Sequence, residues 1–441
     1  RYAWSRLAVA VERRTERRVL GALAAVVAAA WVAGLAGAPV APDHVRFAVP
    51  VTATYARQAT LIAGAFLASR RTPPAAAEGA PHVARAPAAF DALAGDDVLL
   101  VFLESYGVVT YARPEFVARL EAPRRRLADA IAASGRTVVS ATVTAPTFGG
   151  NSWLSHLTLL TGVEVADPDA YARTMQVPRD TLVQEFAGAG YRTLALMPGL
   201  RQAWPEGAFY RFDTILGADA LDYRGPEFGW WRIPDQYALA ALDREPRDAR
   251  PRFTFFPTIS SHAPFRPTPP YQADWERLGG ARPFGTEADD ALAVAPDWTN
   301  LGPAYADAIA YAHEWLTGWL QRHAGASVTV VVLGDHQPPA AVSGPGADWT
   351  VPVHVVTRRE AVAESLRAAG FVDGLQPPRA PLFAMQELRP VLRDAFGGIP
   401  AGPARVAVSP ASAAASVEAV GAPRVHVAGR ADAPRVGELG P

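Results

Sequence analysis

The stretch VTVVVLGDHQP, Val328–Pro338, places an unbroken apolar run directly before a carboxylate and an imidazole. Consecutive β-branched and aliphatic residues are typical of a strand that is buried on both faces of a sheet. Asp335 and His336 follow where that strand would end. Separately, they could be a helix cap and a core histidine. Adjacent, at the end of a buried strand, they are better explained as part of a functional site.

Apolar runs of the same kind recur along the chain and alternate with helical patterns. The predicted strands are Val98–Leu103, Thr137–Val143, Arg192–Met197, Phe253–Ile259, Val328–Leu333 and Val351–Val356. The predicted helices are Pro114–Ala133, Thr181–Ala189, Tyr305–His323 and Arg359–Ala369. This alternation favours an α/β fold in which a mostly parallel sheet is sandwiched by helices. Such sheets place their active sites at the carboxyl ends of the strands.

Two other predicted strands also end in polar side chains. Glu104 follows the first strand in LLVFLESYG, and Ser260, Ser261 and His262 follow another in SSHAPF. Carboxylate oxygens with one imidazole nitrogen suit a divalent ion, Mn²⁺ or Zn²⁺ before Mg²⁺. A lone glutamate after a strand is usually a solvated loop residue. Its position after one predicted strand, together with the Asp-His pair after another, predicts a site for one ion.

A candidate nucleophile lies in APTFGGNSWLSHLTLLTG, residues 145–162. Two glycines permit a tight turn before Ser152, which begins a stretch that is predicted to be helical. The N-terminus of a helix stabilises an alkoxide and an incoming anion, and a metal ion would lower the hydroxyl pKa further. Ser152 is therefore the predicted nucleophile, with Thr147 as the alternative and a simple N-cap role also open. His156, one turn later, could approach the site or only pack.

The motifs LESYG, the Gly-rich turn before a serine, SSHAPF and GDHQ resemble the lipoteichoic acid synthase and phosphoethanolamine transferase group. That group belongs to the sulfatase-like branch of the alkaline phosphatase superfamily, and the resemblance spans roughly residues 96–356. It implies that one divalent cation is held by Glu104, Ser152, Asp335 and His336. It also implies that His262 contacts the substrate phosphate. Arg201 and Trp204, in MPGLRQAWPEG, loosely suggest the substrate pocket of the family.

The resemblance implies a metal-dependent enzyme that cleaves or transfers phosphate esters of phospholipid or envelope polymer substrates. One alternative is a sulfuric ester or phosphonate hydrolase of the same superfamily, and another is a catalytically inactive envelope scaffold. Classical sulfatases need Cys or Ser followed by x-Pro-x-Arg, which this sequence lacks. The 42 basic and 43 acidic residues nearly cancel, so nucleic acid is not an expected partner.

The uncharged run Val19–Val40 is long enough to cross a bilayer core, which needs about 20 apolar residues. Four arginines precede it, Arg13, Arg14, Arg17 and Arg18, so the positive-inside rule puts that flank in the cytoplasm. A single pass through the plasma membrane, with a periplasmic or extracellular catalytic domain, is expected. An Ala-rich buried helix, or a signal peptide cleaved after Ala38, are the alternatives.

These patterns divide the chain into five predicted segments. Residues 1–18 form a cytoplasmic flank and residues 19–40 a transmembrane helix. Residues 41–90 hold a juxtamembrane helix at Thr60–Ala68 and a Pro/Ala-rich linker. Residues 91–398 form the sulfatase-like catalytic domain. Residues 399–441 form a disordered tail.

Overall fold

The structure is a computed structural model that describes residues 89–229, 233–280 and 282–399, together with Arg18 and Ala22. The predicted flank, transmembrane helix, juxtamembrane helix, linker and tail fall almost entirely outside these residues and remain predictions. Within the described ranges, no helix has both the length and the apolar composition that a membrane span requires.

The described residues contain one sheet of nine strands. The strands are β1 Asp97–Leu103, β2 Thr137–Thr144, β3 Arg192–Leu196, β4 Thr214–Leu216, β5 Arg252–Pro257, β6 Val328–Gly334, β7 Thr350–Thr357, β8 Val372–Asp373 and β9 Phe383–Ala384. Their order across the sheet is β4-β3-β5-β1-β6-β7-β2-β8, and β9 pairs with β2.

Strand directions make this a mixed sheet. The strands from β4 across to β6 are parallel to one another, whereas β7 is antiparallel to both β6 and β2, and β8 is antiparallel to β2. The predicted mostly parallel sheet is thus confirmed, with β7 and β8 as the antiparallel strands. The segment between β6 and β7 contains only one short helix, so the chain turns back at the same rim of the sheet.

Helices surround this sheet. They are α1 Val109–Ala112, α2 Pro114–Ala133, α3 Ser152–Thr161, α4 Pro168–Gln176, α5 Leu182–Gly188, α6 Gly207–Tyr210, α7 Asp235–Arg244, α8 Glu287–Ala293, α9 Gly302–Arg322, α10 Ala340–Ser343, α11 Glu360–Ala368 and α12 Met385–Phe396. Two short 3₁₀ turns, Asp91–Leu93 and Trp275–Gly279, complete the described elements.

Side chains of β1 alternate between two hydrophobic cores, one on each face of the sheet. Leu99, Val101 and Leu103 pack on the face that α2 and α9 cover. Their neighbours along the strand pack on the opposite face, with α3, α11 and α12. A strand that is buried on both faces has no polar alternation, which explains the unbroken apolar runs. The predicted arrangement of helices on both sides of a sheet is confirmed.

Three adjacent parallel strands bring the candidate site residues to one rim. In the order β5-β1-β6, Phe102 pairs with Pro257, and Leu103 pairs with Gly334. Neighbouring strands lie about 4.8 Å apart, so the residues that follow these pairs emerge side by side. The loops after β1, β5 and β6 therefore meet at the carboxyl ends of the central strands.

Candidate active site

Two carboxylates and one imidazole converge at this rim. Glu104, Asp335 and His336 each offer one ligand atom within 4.8 Å of the other two, and all three side chains are buried. The Nε2 atom of His336 lies 3.5 Å from Oε1 of Glu104 and 3.8 Å from Oδ2 of Asp335. The cluster could hold one divalent ion, because oxygen donors and one imidazole nitrogen are common protein ligands of such ions.

A backbone contact sets the orientation of the His336 ring. Its Nδ1 lies 2.8 Å from the carbonyl oxygen of Gln337, which can only accept a hydrogen bond. In the neutral ring the proton is therefore assigned to Nδ1, and the lone pair of Nε2 faces Glu104. This tautomer is the one that a metal-binding histidine needs, with the second ring nitrogen held by a carbonyl.

Ser152 is the first residue of α3 and belongs to the same cluster. Its Oγ donates a hydrogen bond to Oε2 of Glu104 at 2.8 Å and lies 3.1 Å from Nε2 of His336. Asn151, just before it, adopts a left-handed conformation with φ of 62°. The rival hydroxyl of Thr147 instead donates to the carbonyl of Gly150 at 2.8 Å. Of these two hydroxyl groups, that of Ser152 is the one that contacts Glu104 and His336.

Ser105 holds both carboxylates, a role that the sequence analysis missed. Its N–H donates to Oδ1 of Asp335 at 2.8 Å, and its Oγ donates to Oε1 of Glu104 at 2.8 Å. Ser105 has φ of 57°, an unusual backbone conformation for a residue with a side chain. The carbonyl of Ser105 accepts a hydrogen bond from the hydroxyl of Tyr305 at 2.9 Å. The motif LESYG contains Ser105, but nothing in the motif indicates this backbone turn.

Asp235 fixes the loop that follows β5. Its carboxylate accepts hydrogen bonds from the N–H groups of Ile259 at 2.8 Å and Ser260 at 2.9 Å. The next residue, Ser261, donates its hydroxyl to the carbonyl of Glu104 at 2.6 Å. Asp235, the first residue of α7, thus holds the loop after β5, and Ser261 in that loop holds the backbone of Glu104 after β1. It stands far from the recognised motifs in the sequence, so no local pattern identified it.

Burial and charge perturb the pKa values of the cluster. Burial, followed by the nearby charge of Glu104, raises the pKa of Asp335 to about 6. Burial tends to lower the pKa of His336, but Asp335, Glu104 and the Gln337 carbonyl outweigh it and the pKa rises. Two carboxylates close together in a buried site favour a bound cation, which relieves their repulsion. The donor set fits one divalent ion.

A pocket of about 470 Å³ opens beside Glu104 and Ser152 and is also lined by His262, among others. The predicted phosphate-binding residue His262 is therefore in the pocket, where burial lowers its pKa. The other two predicted substrate residues, Arg201 and Trp204, are not among the lining residues. The Trp204 ring instead stacks against Tyr210, with 5.4 Å between ring centroids. Earlier residues of the same segment, 197, 199 and 200, line the pocket in their place.

Several solved structures are similar to this chain. They include a protein in the alkaline phosphatase superfamily from Vibrio parahaemolyticus, at 16% identity and a TM-score of 0.45, covering 69% of this chain and 67% of that chain. The lipoteichoic acid synthase LtaP from Listeria monocytogenes matches at 14% identity and a TM-score of 0.43, covering 70% and 74%. The Streptococcus pyogenes phosphoglycerol transferase GacH, in complex with sn-glycerol-1-phosphate, matches at 12% identity and a TM-score of 0.44, covering 70% and 76%.

The Vibrio parahaemolyticus protein is described as a member of the superfamily that the sequence motifs resemble. No family model matches the sequence, and no curated protein matches it. At these identities the likeness concerns the fold, and the substrate of each of those proteins is a property of that protein.

Proposed function

We propose that this chain is a metal-dependent hydrolase or transferase of phosphate esters that uses Ser152 as its nucleophile. The observation that carries the proposal is the position of the Ser152 hydroxyl. It lies 2.8 Å from a Glu104 carboxylate oxygen and 3.1 Å from His336, at the first residue of a helix. A serine in this setting is activated without the Ser-His-Asp arrangement of a triad.

Glu104, Asp335 and His336 would hold the ion, with Mn²⁺ or Zn²⁺ favoured over Mg²⁺. When bound, the ion would lower the pKa of the Ser152 hydroxyl and stabilise the charge that develops in the transition state. Glu104 accepts the hydrogen bond of that hydroxyl and so orients the oxygen for in-line attack. Ser105 fixes the position of the Glu104 carboxylate.

The pocket lining supports an ester with one negative charge. No lysine or arginine is among the residues that line the described pocket, and the lining combines polar groups with apolar ones. A phosphodiester carries one charge at neutral pH, whereas a phosphate monoester carries nearly two and would need more positive groups. The predicted membrane anchor would keep the site beside phospholipid or envelope polymer substrates outside the cytoplasm.

The experiment is an assay of the purified full chain, stripped with a chelator and resupplied with Mn²⁺, Zn²⁺ or Mg²⁺. The substrates are bis(4-nitrophenyl) phosphate, 4-nitrophenyl phosphate, 4-nitrophenyl sulfate and a phosphonate monoester. We expect ion-dependent turnover that is fastest with the diester. Turnover of only the sulfate or the phosphonate would favour the alternative substrates, and no turnover would favour the scaffold. Undiminished activity after chelation would contradict metal dependence and leave the Ser152–His336 pair as the catalytic unit.

A further inference from the structure

His156 lies in the candidate pocket without an assigned role. It follows Ser152 by four residues on α3, so the two side chains share one face of the helix. Side chains of a helix lean towards its N-terminus, which directs the imidazole towards Ser152. His156 lines the same pocket as Ser152, Glu104 and His262.

Two phenylalanine rings fix the orientation of the His156 imidazole. The Phe102 ring meets it edge to face, with centroids 4.6 Å apart, and the Phe255 ring does so at 5.5 Å. Phe102 belongs to β1 and Phe255 to β5, so the imidazole packs against two central strands of the sheet. A ring held in this way has a fixed orientation, which preorganises its nitrogens for a ligand.

The Nε2 atom of His156 is buried and has no hydrogen-bond partner among the described residues. Buried polar atoms are nearly always paired, so an unpaired one on a side chain that lines a pocket points to a missing partner. The neighbouring Ser155 shows the usual situation, since its hydroxyl donates to the carbonyl of Asp335 at 2.6 Å. A leucine would suit the Phe102 and Phe255 contacts without leaving a polar atom unpaired.

Cationic hydrogen-bond donors are missing from the described lining of the pocket. No lysine or arginine lines the described part of it, and Nδ1 of His262 is already bonded to the carbonyl of Ala263 at 2.8 Å. A bound anion therefore depends on neutral donors, and His156 offers one whose Nε2 has no other partner among the described residues.

We propose that His156 is a substrate-binding residue whose Nε2–H donates a hydrogen bond to a non-bridging oxygen of the phosphoryl group that Ser152 attacks. This inference rests on the proposed function. The imidazole gains and loses no proton in this role. The Ser152 hydroxyl passes its proton to the Glu104 carboxylate that accepts its hydrogen bond. Its oxygen bonds to phosphorus as the bond to the leaving oxygen breaks, and that oxygen departs with the electron pair. The hydrogen bond from His156 stabilises the negative charge on the non-bridging oxygen.

Glutamine and asparagine variants give a matched test, because their amide nitrogens stand near the positions of Nε2 and Nδ1 respectively. The full chain is assayed as the parent, His156→Gln and His156→Asn, with bis(4-nitrophenyl) phosphate as substrate and inorganic phosphate as inhibitor. We expect Asn to lower kcat by about 10- to 100-fold and to weaken phosphate inhibition, and Gln to retain most of both. Bound metal, measured by mass spectrometry, stays equal to that of the parent.

His313→Phe is the control for loss of a buried histidine. Nδ1 of His313 is also buried and unpaired among the described residues, but His313 lies on α9, on the opposite face of the sheet. We expect its kcat to stay within about twofold of the parent.

Three outcomes would overturn the inference while the proposed function stands. They are an Asn variant as active as the parent, equal losses in Asn and Gln, and a loss of metal that parallels the loss of activity. A parent that turns over no ester refutes the proposed function instead. Phosphate binding to the metal-loaded parent and variants then decides the role of His156, since equal affinities would refute it.

Discussion

Ser152 and Thr147 present two hydroxyl groups within one turn, and their partners differ. The Ser152 hydroxyl contacts Glu104, while that of Thr147 closes the turn through Gly150. Ser152→Ala should lower kcat by at least about 10⁴-fold, because the nucleophile is lost. It should leave bound metal nearly unchanged, since the two carboxylates and His336 remain. Thr147→Ala should lower kcat by no more than about tenfold. If steady-state kinetics showed the larger loss of kcat in Thr147→Ala and the smaller loss in Ser152→Ala, Thr147 would be the nucleophile.

A second residue-scale prediction concerns His354, which is buried in β7. Its Nδ1 lies 2.6 Å from the hydroxyl of Ser140, and its Nε2 lies 3.2 Å from the hydroxyl of Tyr106 and 3.1 Å from that of Tyr111. Burial lowers the pKa of His354 to about 3, and the charge of Arg124 contributes. The native protein keeps this imidazole neutral, whereas the unfolded chain protonates it near pH 6.5.

The sign of the pH effect follows from this difference in pKa. Between about pH 6.5 and pH 3 the unfolded state binds one more proton at His354, so stability falls as pH falls. His354→Gln should reduce that slope by up to about 1.4 kcal/mol per pH unit between pH 6 and pH 4. It should also lower stability at pH 7 by about 1–3 kcal/mol, because buried hydroxyl groups lose a partner. Urea unfolding at several pH values measures both effects.

His323→Gln is the matched control for that pH series. Burial opposes a charge on His323, but Asp243 at 3.2 Å outweighs it and raises the pKa. Its contribution is complete below pH 6.5 and is lost only as pH rises through the higher folded pKa. The slope between pH 6 and pH 4 should therefore match the parent in this variant. A parental slope in His354→Gln would contradict the assignment.

The sequence predicted the site residues that directly follow apolar runs, and it missed those that act through the backbone. Glu104 and Asp335 come immediately after β1 and β6, where strand order brings them together. Ser105 acts through a left-handed turn, and Asp235 acts through loop amide groups. Neither contact leaves a pattern in the sequence. Arg201 was inferred from a loose motif match, and the lining of the pocket does not include it.

At the scale of elements, long apolar or amphipathic segments were predicted well. The helix Pro114–Ala133 has the predicted bounds, and β6 extends the predicted Val328–Leu333 by one residue. Strands of two or three residues, such as β4, are too short to show any periodicity. The direction of β7 could not be predicted from the sequence either, because a strand buried throughout has the same apolar composition in either direction. No element was predicted at α12, although it packs in the second core.

Gly334, the last residue of β6, lets two loops of the site approach each other closely. A Cβ atom there would lie 1.9 Å from the carbonyl oxygen of Tyr106. That backbone follows Glu104 and Ser105, so it cannot move without displacing the cluster. Gly334→Ala should destabilise the fold by roughly 1–3 kcal/mol and weaken metal binding and turnover together. Thermal unfolding, metal content and kcat measure the three effects.

Gly188→Ala is the control at the end of α5. A Cβ atom there would meet no neighbour within 4 Å, and its φ is not in the left-handed region. We expect the free energy of unfolding to change by less than about 0.5 kcal/mol and kcat to stay the same. If Gly334→Ala behaved in the same way, the close approach of the two loops would not constrain the site.

At the scale of the whole molecule, every predicted site residue lies in the described part of the chain, and the predicted membrane anchor lies before it. The catalytic site and the membrane anchor are predicted from different physical features. The site depends on strand order and buried polar contacts, whereas the anchor depends only on the uncharged run Val19–Val40. A fragment that begins at residue 85 should therefore separate catalysis from membrane attachment.

We expect the full chain to sediment with membranes and to enter the detergent phase on phase separation. The fragment 85–399 should stay in the aqueous phase and retain diester turnover, since both hydrophobic cores lie within it. Val27→Arg places a charge near the middle of the run, where arginine costs about 2.5–3.5 kcal/mol on insertion, and should weaken attachment of the full chain. A full chain that remains aqueous and begins after Ala38 would instead support signal-peptide cleavage. Because the described residues contain no helix able to span a bilayer, attachment of the fragment itself would require a surface contact rather than a span.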